Sequence, residues 1–217
     1  MDKFVDRQYA GTILAKYLAK YTKQANAIVL ALPRGGIPVA FEIALALSIP
    51  LDIFTVRKLG VPGQEEVAMG AIASGDIIIF NEILMKQLHM DPAVVDGVLK
   101  KEQVELRRRE YLYRGDRPFP SLANKTVILV DDGIATGASM RAAVVALRKH
   151  KPSAIIVAVP VADYDAYQRI KKMVDKMICP LIPNNFIAVG EWYDNFSQVS
   201  DREAIAFLER SNLNEQE

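Results

Sequence analysis

The sequence is poor in the residues from which many active sites are assembled. It has one cysteine, Cys179, so no disulfide can form within the chain. That usage fits a reducing cytoplasm, where the protein is expected to work. It has only two histidines, His89 and His150, far apart in the chain, and nothing suggests a metal cluster or a nucleophilic triad. Charge of one sign is missing too. Lysine and arginine number 27 and aspartate and glutamate 26, a formal net charge of +1. Non-specific nucleic-acid binding needs a strong basic excess, so that class is disfavoured. No apolar run approaches the roughly 20 residues of a membrane-spanning helix, so no membrane role is expected. The opening "MDKFVDRQYA" lacks the apolar core of a signal peptide. Neither G-x-x-x-x-G-K-[ST] nor G-x-G-x-x-G occurs, so neither standard nucleotide loop is present.

What remains is an ordinary globular composition, 51% apolar and 24% charged over 217 residues. That length suits one α/β domain spanning 1–217. "AIVLAL" (27–32), "LDIFTV" (51–56), "VAMGAIA", "DIIIF", "TVILV" (126–130) and "AIIVAVPV" (154–161) are short apolar runs that predict strands. "RQYAGTILAKYLAKY", "IPVAFEIALAL", "SMRAAVVALRKH" and "YDAYQRIKKM" have helical spacing. Pro38 falls in the first turn of the second of these, where a missing N–H costs nothing. Ser200 and Glu203 stand at capping-box spacing before a last helix. Alternating strands and helices imply a mostly parallel central sheet flanked by helices. "RKLGVPGQEE" is punctuated like a loop.

Residues 81–125 break the pattern. They are polar, helical and rich in arginine, and predict an inserted helical pair within the one domain. Arg107, Arg108 and Arg109 run together there. A solvated helix face is the ordinary explanation of such a run. A lid or subunit contact that helps hold an anion is the sharper one.

Two strand ends carry the chemistry. "ALPRGG" sets Arg34 beside Gly35 and Gly36, and "TVILVDDGIATGAS" runs a core strand into adjacent carboxylates, Asp131 and Asp132. A fold gains nothing from that adjacency, because like charges repel. Gly133 and Gly137 give the following loop backbone freedom, and a helix N-terminus then adds partial positive charge. A phosphate cradle behind two acids suits a ligand with a phosphate at one end and hydroxyls or Mg²⁺ nearby, such as a sugar phosphate.

"VILVDDGIATGAS" resembles the 5-phosphoribosyl-1-diphosphate (PRPP) motif of type I phosphoribosyltransferases. "VLALPRGGIPVA" is similar to their pyrophosphate loop, and "IPNNFIAVGEWYDNF" to the base-covering segment of purine-salvage members. The chain as a whole resembles a bacterial group of predicted phosphoribosyltransferases without an assigned substrate. The resemblance implies a residue-by-residue site. Ala135, Thr136, Gly137, Ala138 and Ser139 would hold the 5-phosphate. Asp131 and Asp132 would take the ribose hydroxyls, directly or through Mg²⁺. Arg34, Gly35 and Gly36 would bind pyrophosphate, with Arg57 and Lys58 adding charge. "KLGVPGQEE" would be a mobile loop closing over the reaction. Phe186, Trp192 and Asp194 would meet the base, within a hood segment at about 180–200. It further implies a cis Pro33–Arg34 peptide or a strained Arg34, and a homodimer.

One position departs from the pattern. Hypoxanthine-guanine members carry an acid where this chain has Ala135, as adenine and orotate members do not. The accepted base is therefore open. So is a second class of function, a non-catalytic PRPP sensor.

Overall fold

A computed structural model describes residues 3–214, without the side chains of Glu66 and Asn214. Its centre is a five-stranded parallel sheet made of β1 (Ala27–Ala31), β2 (Leu51–Ile53), β6 (Thr126–Val130), β7 (Ala154–Ala158) and β8 (Lys176–Ile178). Their spatial order is β2-β1-β6-β7-β8. The central pair, β1 and β6, are in step from Ala27↔Thr126 to Ala31↔Val130. Both are buried along their whole length. That is why they read as continuous apolar runs rather than alternating ones.

Alternate residues of each strand serve opposite faces. Val29, Ala31, Ile128 and Val130 pack on one side with helices α1 (Arg7–Tyr17), α2 (Gly36–Leu47) and α7 (Asp201–Asn214). Ile28, Leu30, Val127 and Leu129 pack on the other, with α5 (Ala138–Lys149) and α6 (Tyr164–Lys171). The capping box forms at the start of α7. Ser200 N donates to Glu203 Oε2 at 2.8 Å, and Glu203 N to Ser200 Oγ at 3.2 Å.

Two expectations need correction. The strand expected over 51–56 is broken, because β2 ends at Ile53 and β3 (Val56–Val61) turns into a second sheet. The loop expected over 58–66 is the tip of an antiparallel hairpin, β3 with β4 (Gln64–Ala73), to which β5 (Ile77–Phe80) adds. Its turn is Pro62–Gly63, with Gly63 at φ +77°, a conformation that glycine adopts without strain. The register shifts around Gly60, which breaks the period-2 pattern that would have marked the strands.

The insertion is a helical pair, α3 (Glu82–Leu88) and α4 (Pro92–Arg114). Val95 and Leu106 of α4 pack on Leu59, Val61, Met69 and Ile72 of the hairpin. At the end of α4, the buried Arg114 ion-pairs with Asp52 (3.1 Å) and donates to the Ile53 carbonyl (3.1 Å). The insertion is thus fastened to both sheets. No helix of the described residues is long and apolar enough to cross a membrane.

Candidate active site

Because β1 and β6 are neighbours in register, the loops leaving them lie side by side at the carboxyl edge of the sheet, where α/β folds bind ligands. The contact is close. A Cβ built on Gly36 would stand 2.7 Å from the Val130 carbonyl oxygen and 3.0 Å from Asp131 Cα. One built on Gly35 would stand 2.0 Å from Asp132 Oδ2. Both glycines are needed for the two loops to touch. The Pro33–Arg34 peptide is cis, as expected.

The phosphate-type loop is anchored as well. Ile134 N donates to the Val161 carbonyl at 3.0 Å, and Asp163 N to the Ile134 carbonyl at 2.9 Å. Gly137, at φ +78°, turns the chain into α5, whose N-terminus faces the loop. Asp131, Thr136, Ser139 and Val189 line a cavity of about 210 Å³ there. Ala135, Thr136, Ala138 and Ser139 are exposed to it while Gly137 is buried below.

The two acids are not equivalent. Asp131 Oδ1 accepts from Asp132 N at 2.9 Å. Burial lifts the Asp131 carboxyl well above the usual carboxylate range, and the neighbouring Asp132 charge lifts it further. Asp132 is lifted by burial but pulled back by Arg7, whose Nε donates to Asp132 Oδ2 at 2.8 Å. Arg7 also donates to the Ser197 carbonyl (2.7 Å) and lies 3.8 Å over the Phe196 ring. Sequence reasoning missed this residue. It contacts Asp132 across 125 positions, and nothing local marks it.

The structure does not bring all the expected residues to these loops. Arg57 lies on β3 and turns to α4, pairing with Glu102 at 2.5 Å and Glu105 at 3.9 Å. Lys58 is exposed on the same strand. Phe186 and Trp192 are half-buried against a cluster of Phe4, Ala10, Val161 and Tyr193. Asp194 is exposed, and its backbone N bonds the Phe4 carbonyl at 2.8 Å. From this segment Val189, rather than those three, lines the cavity beside Asp131.

Tyr193 supplies the missing link. Its hydroxyl donates to the Asp132 carbonyl at 2.6 Å, and its ring lies 5.0 Å from that of Phe196. The hood is therefore tied to the acid pair from two sides, by Tyr193 and by Arg7. Tyr193→Phe should lose one buried hydrogen bond, about 0.5–1.5 kcal/mol. For a chain of this size that is a fall of about 2–4 °C in melting temperature per kcal/mol. An unchanged melting curve would show the bond to be absent in solution.

The described residues offer no group of three or more side chains suited to hold a metal. Mg²⁺ does not require one. It keeps its waters and is bound by one or two carboxylates together with substrate phosphates. Asp131, at the rim of the cavity, fits that mode.

Arg34 opens onto a second cavity, of about 420 Å³, with Arg108, Arg109, Tyr113 and Asp201. Two of the three consecutive arginines of the insertion thus face the pyrophosphate-type loop.

The phosphoribosyl transferase domain matches residues 5–195 of this chain. Two curated Mycobacterium tuberculosis proteins named for that transferase, from strains CDC 1551 / Oshkosh and ATCC 25618 / H37Rv, are each 43% identical over 212 residues. The match covers 98% of this chain and 48% of each relative, so the chain spans about half their length. The crystal structure of TT1426 from Thermus thermophilus superposes with a TM-score of 0.84 at 37% identity. It covers 95% of this chain and 97% of that one. The chain belongs to the phosphoribosyl transferase domain family.

Proposed function

We propose that the protein transfers the 5-phosphoribosyl group of PRPP to a nitrogenous base, releasing pyrophosphate. One observation carries the reading. The acid pair lies between the 135–139 loop, with which Asp131 lines a cavity, and a glycine loop packed against the acids, an order that suits a ribose carrying phosphate on one side and diphosphate on the other.

Residues 135–139 hold the 5-phosphate with backbone N–H groups, the Thr136 and Ser139 hydroxyls and the positive end of α5. Asp131 and Asp132 accept the ribose hydroxyls, and their charge favours the cationic character that develops at the anomeric carbon. The loop at Arg34, Gly35 and Gly36 receives the diphosphate. Mg²⁺, when bound, neutralises charge on the departing pyrophosphate. The hairpin tip at 58–66 covers the reaction and keeps water from the cation. Phe186, Trp192 and Asp194, in the hood, border the base. Arg57 and Lys58 lend charge from β3 once the hairpin closes. A cytoplasmic setting and a homodimer complete this reading.

The test is incubation with labelled PRPP, Mg²⁺ and a panel of nucleobases, following pyrophosphate release. Turnover on one base is the expected result. Saturable PRPP binding without turnover on any base would overturn the transferase and leave a sensor.

A further inference from the structure

We propose that the inserted helix α4 forms the second wall of the diphosphate site, with Arg108 and Arg109 gripping the diphosphate arm of the donor. This rests on the transferase reading above. Its basis is the 420 Å³ cavity between the cis peptide at Arg34 and the last turns of α4.

The helix is built for one-sided display. Arg108, Arg109, Leu112 and Tyr113 fall on one face at i, i+1, i+4 and i+5, and all four line the cavity. Arg107 is rotated off that face and lies 3.9 Å from Asp76, with its side chain 72% exposed. Arg108 and Arg109 are themselves 61% and 42% exposed, so what separates them from Arg107 is the face they occupy.

The charges in the cavity are paired in an unusual way. Arg108 Nε and Arg109 Nε both donate to one carboxylate, Glu105, at 2.7 and 2.8 Å, and Arg57 stands 3.9 Å from it. One acid thus serves the two guanidinium groups of the cavity wall, while Arg57 pairs more closely with Glu102. Arg34, across the cavity, is a loose 3.6 Å from Asp201. Asp201 is itself held by the Tyr113 hydroxyl at 2.6 Å and sits at the N-terminal end of α7, where an anion is favoured. Arg34, Arg108 and Arg109 thus line the cavity with one lining anion, Asp201, while Glu105, off the lining, is shared between two of them.

The lining selects the ligand class. Guanidinium forks match phosphoryl oxygens in pairs. A flat base would need a mostly aromatic or apolar wall, and here Pro33, Leu112 and Tyr113 share the lining with three arginines and Asp201. The cavity is concave and small, which suits a diphosphate and not a nucleic-acid backbone. It shares Arg34 with the pyrophosphate-type loop, so it continues that loop's site.

Binding of inorganic pyrophosphate, PRPP and ribose 5-phosphate, with Mg²⁺ present, is measured by calorimetry on the full chain. Arg108→Ala with Arg109→Ala should weaken pyrophosphate and PRPP at least tenfold and leave ribose 5-phosphate unchanged. Arg107→Ala should leave all three unchanged. Glu105→Gln separates ligand binding from helix support, because it frees both arginines. It should bind pyrophosphate at least as tightly as wild type. All four side chains are on the helix surface, and thermal melts check that each variant is folded.

Wild-type affinity of the double variant for pyrophosphate or for PRPP would overturn the proposal. So would a Glu105→Gln variant as weak as the double variant, since the arginines would then only brace the helix. Failure of the transferase reading looks different. PRPP would then bind without turnover, or neither PRPP nor ribose 5-phosphate would bind the wild type, while the pyrophosphate measurements would still decide the cavity.

Discussion

Asp131→Asn is expected to stabilise the protein while weakening its affinity for PRPP. The carboxyl is buried beside Asp132, and both burial and that neighbouring charge oppose its ionisation. A carboxyl whose folded-state pKa lies above its unfolded value holds its proton more tightly in the folded chain. Its favourable contribution is complete below the unfolded value, near 3.8, and is lost as pH rises through the raised folded value. At neutral pH, above the unfolded value, the wild type therefore forgoes that contribution, because the folded site opposes ionisation of the group. Asparagine keeps the acceptor for Asp132 N and has no charge to bury. In metal-free buffer the variant should melt above wild type at neutral pH, and the gap should close as pH falls toward about 4, the unfolded carboxyl range. Binding moves the other way. A hydrogen bond to a charged group contributes about 1.5–3 kcal/mol, so PRPP affinity should fall roughly ten- to hundredfold. A variant that melts higher yet binds PRPP as wild type does would place the ribose elsewhere. Stability withheld at a functional group is a common trade.

That acid pair was legible in the sequence for a physical reason. β6 is apolar at nearly every position, and a core strand has no use for two carboxylates at its end. The same contrast exposed Arg34, Gly35 and Gly36 after β1. The sheet itself was equally plain, since both faces of β1 and β6 are covered and neither face calls for charged residues. The β3–β4 hairpin was not. Gly60, Pro62 and Gly63 look like loop residues, and they serve as a bulge and a two-residue turn. Contacts between distant segments were the least accessible. Arg7 reaches Asp132 only because α1 packs against α2 beside the acid loop, and no spacing rule links positions 125 apart. Arg108 and Arg109 were visible as charge, but the helix rotation that separates them from Arg107 emerges only once α4 is docked. Arg57 was expected at a strand end, adding charge to the pyrophosphate loop. The strand break after Ile53 sends it to α4 instead, where it pairs with Glu102.

The other large effect is expected from a single methyl group. A Cβ on Gly36 would meet the Val130 carbonyl oxygen at 2.7 Å and Asp131 Cα at 3.0 Å. Both are backbone atoms at the end of a fully buried strand, so no flexible side chain can swing aside. The glycine loop must retreat instead. Forcing extra volume into a packed contact costs about 1–3 kcal/mol, so Gly36→Ala should melt several degrees lower. Its effect on binding should be larger than its effect on folding. Misplacing reacting groups by an ångström costs on the order of a hundredfold in rate, and in the proposed site this loop faces the acids across the ribose. The residue 135–139 loop is anchored separately, on Val161 and Asp163, so ribose 5-phosphate should still bind while PRPP binding falls. Gly97 provides the control. A Cβ there meets nothing within 4 Å, and the residue lies inside α4, where alanine is favoured by about 1 kcal/mol. Gly97→Ala should therefore melt slightly higher and bind PRPP unchanged. If Gly36→Ala binds PRPP with wild-type affinity, the contact between the two loops does not position the diphosphate. The ligand would then lie wholly on the 135–139 side of the acid pair.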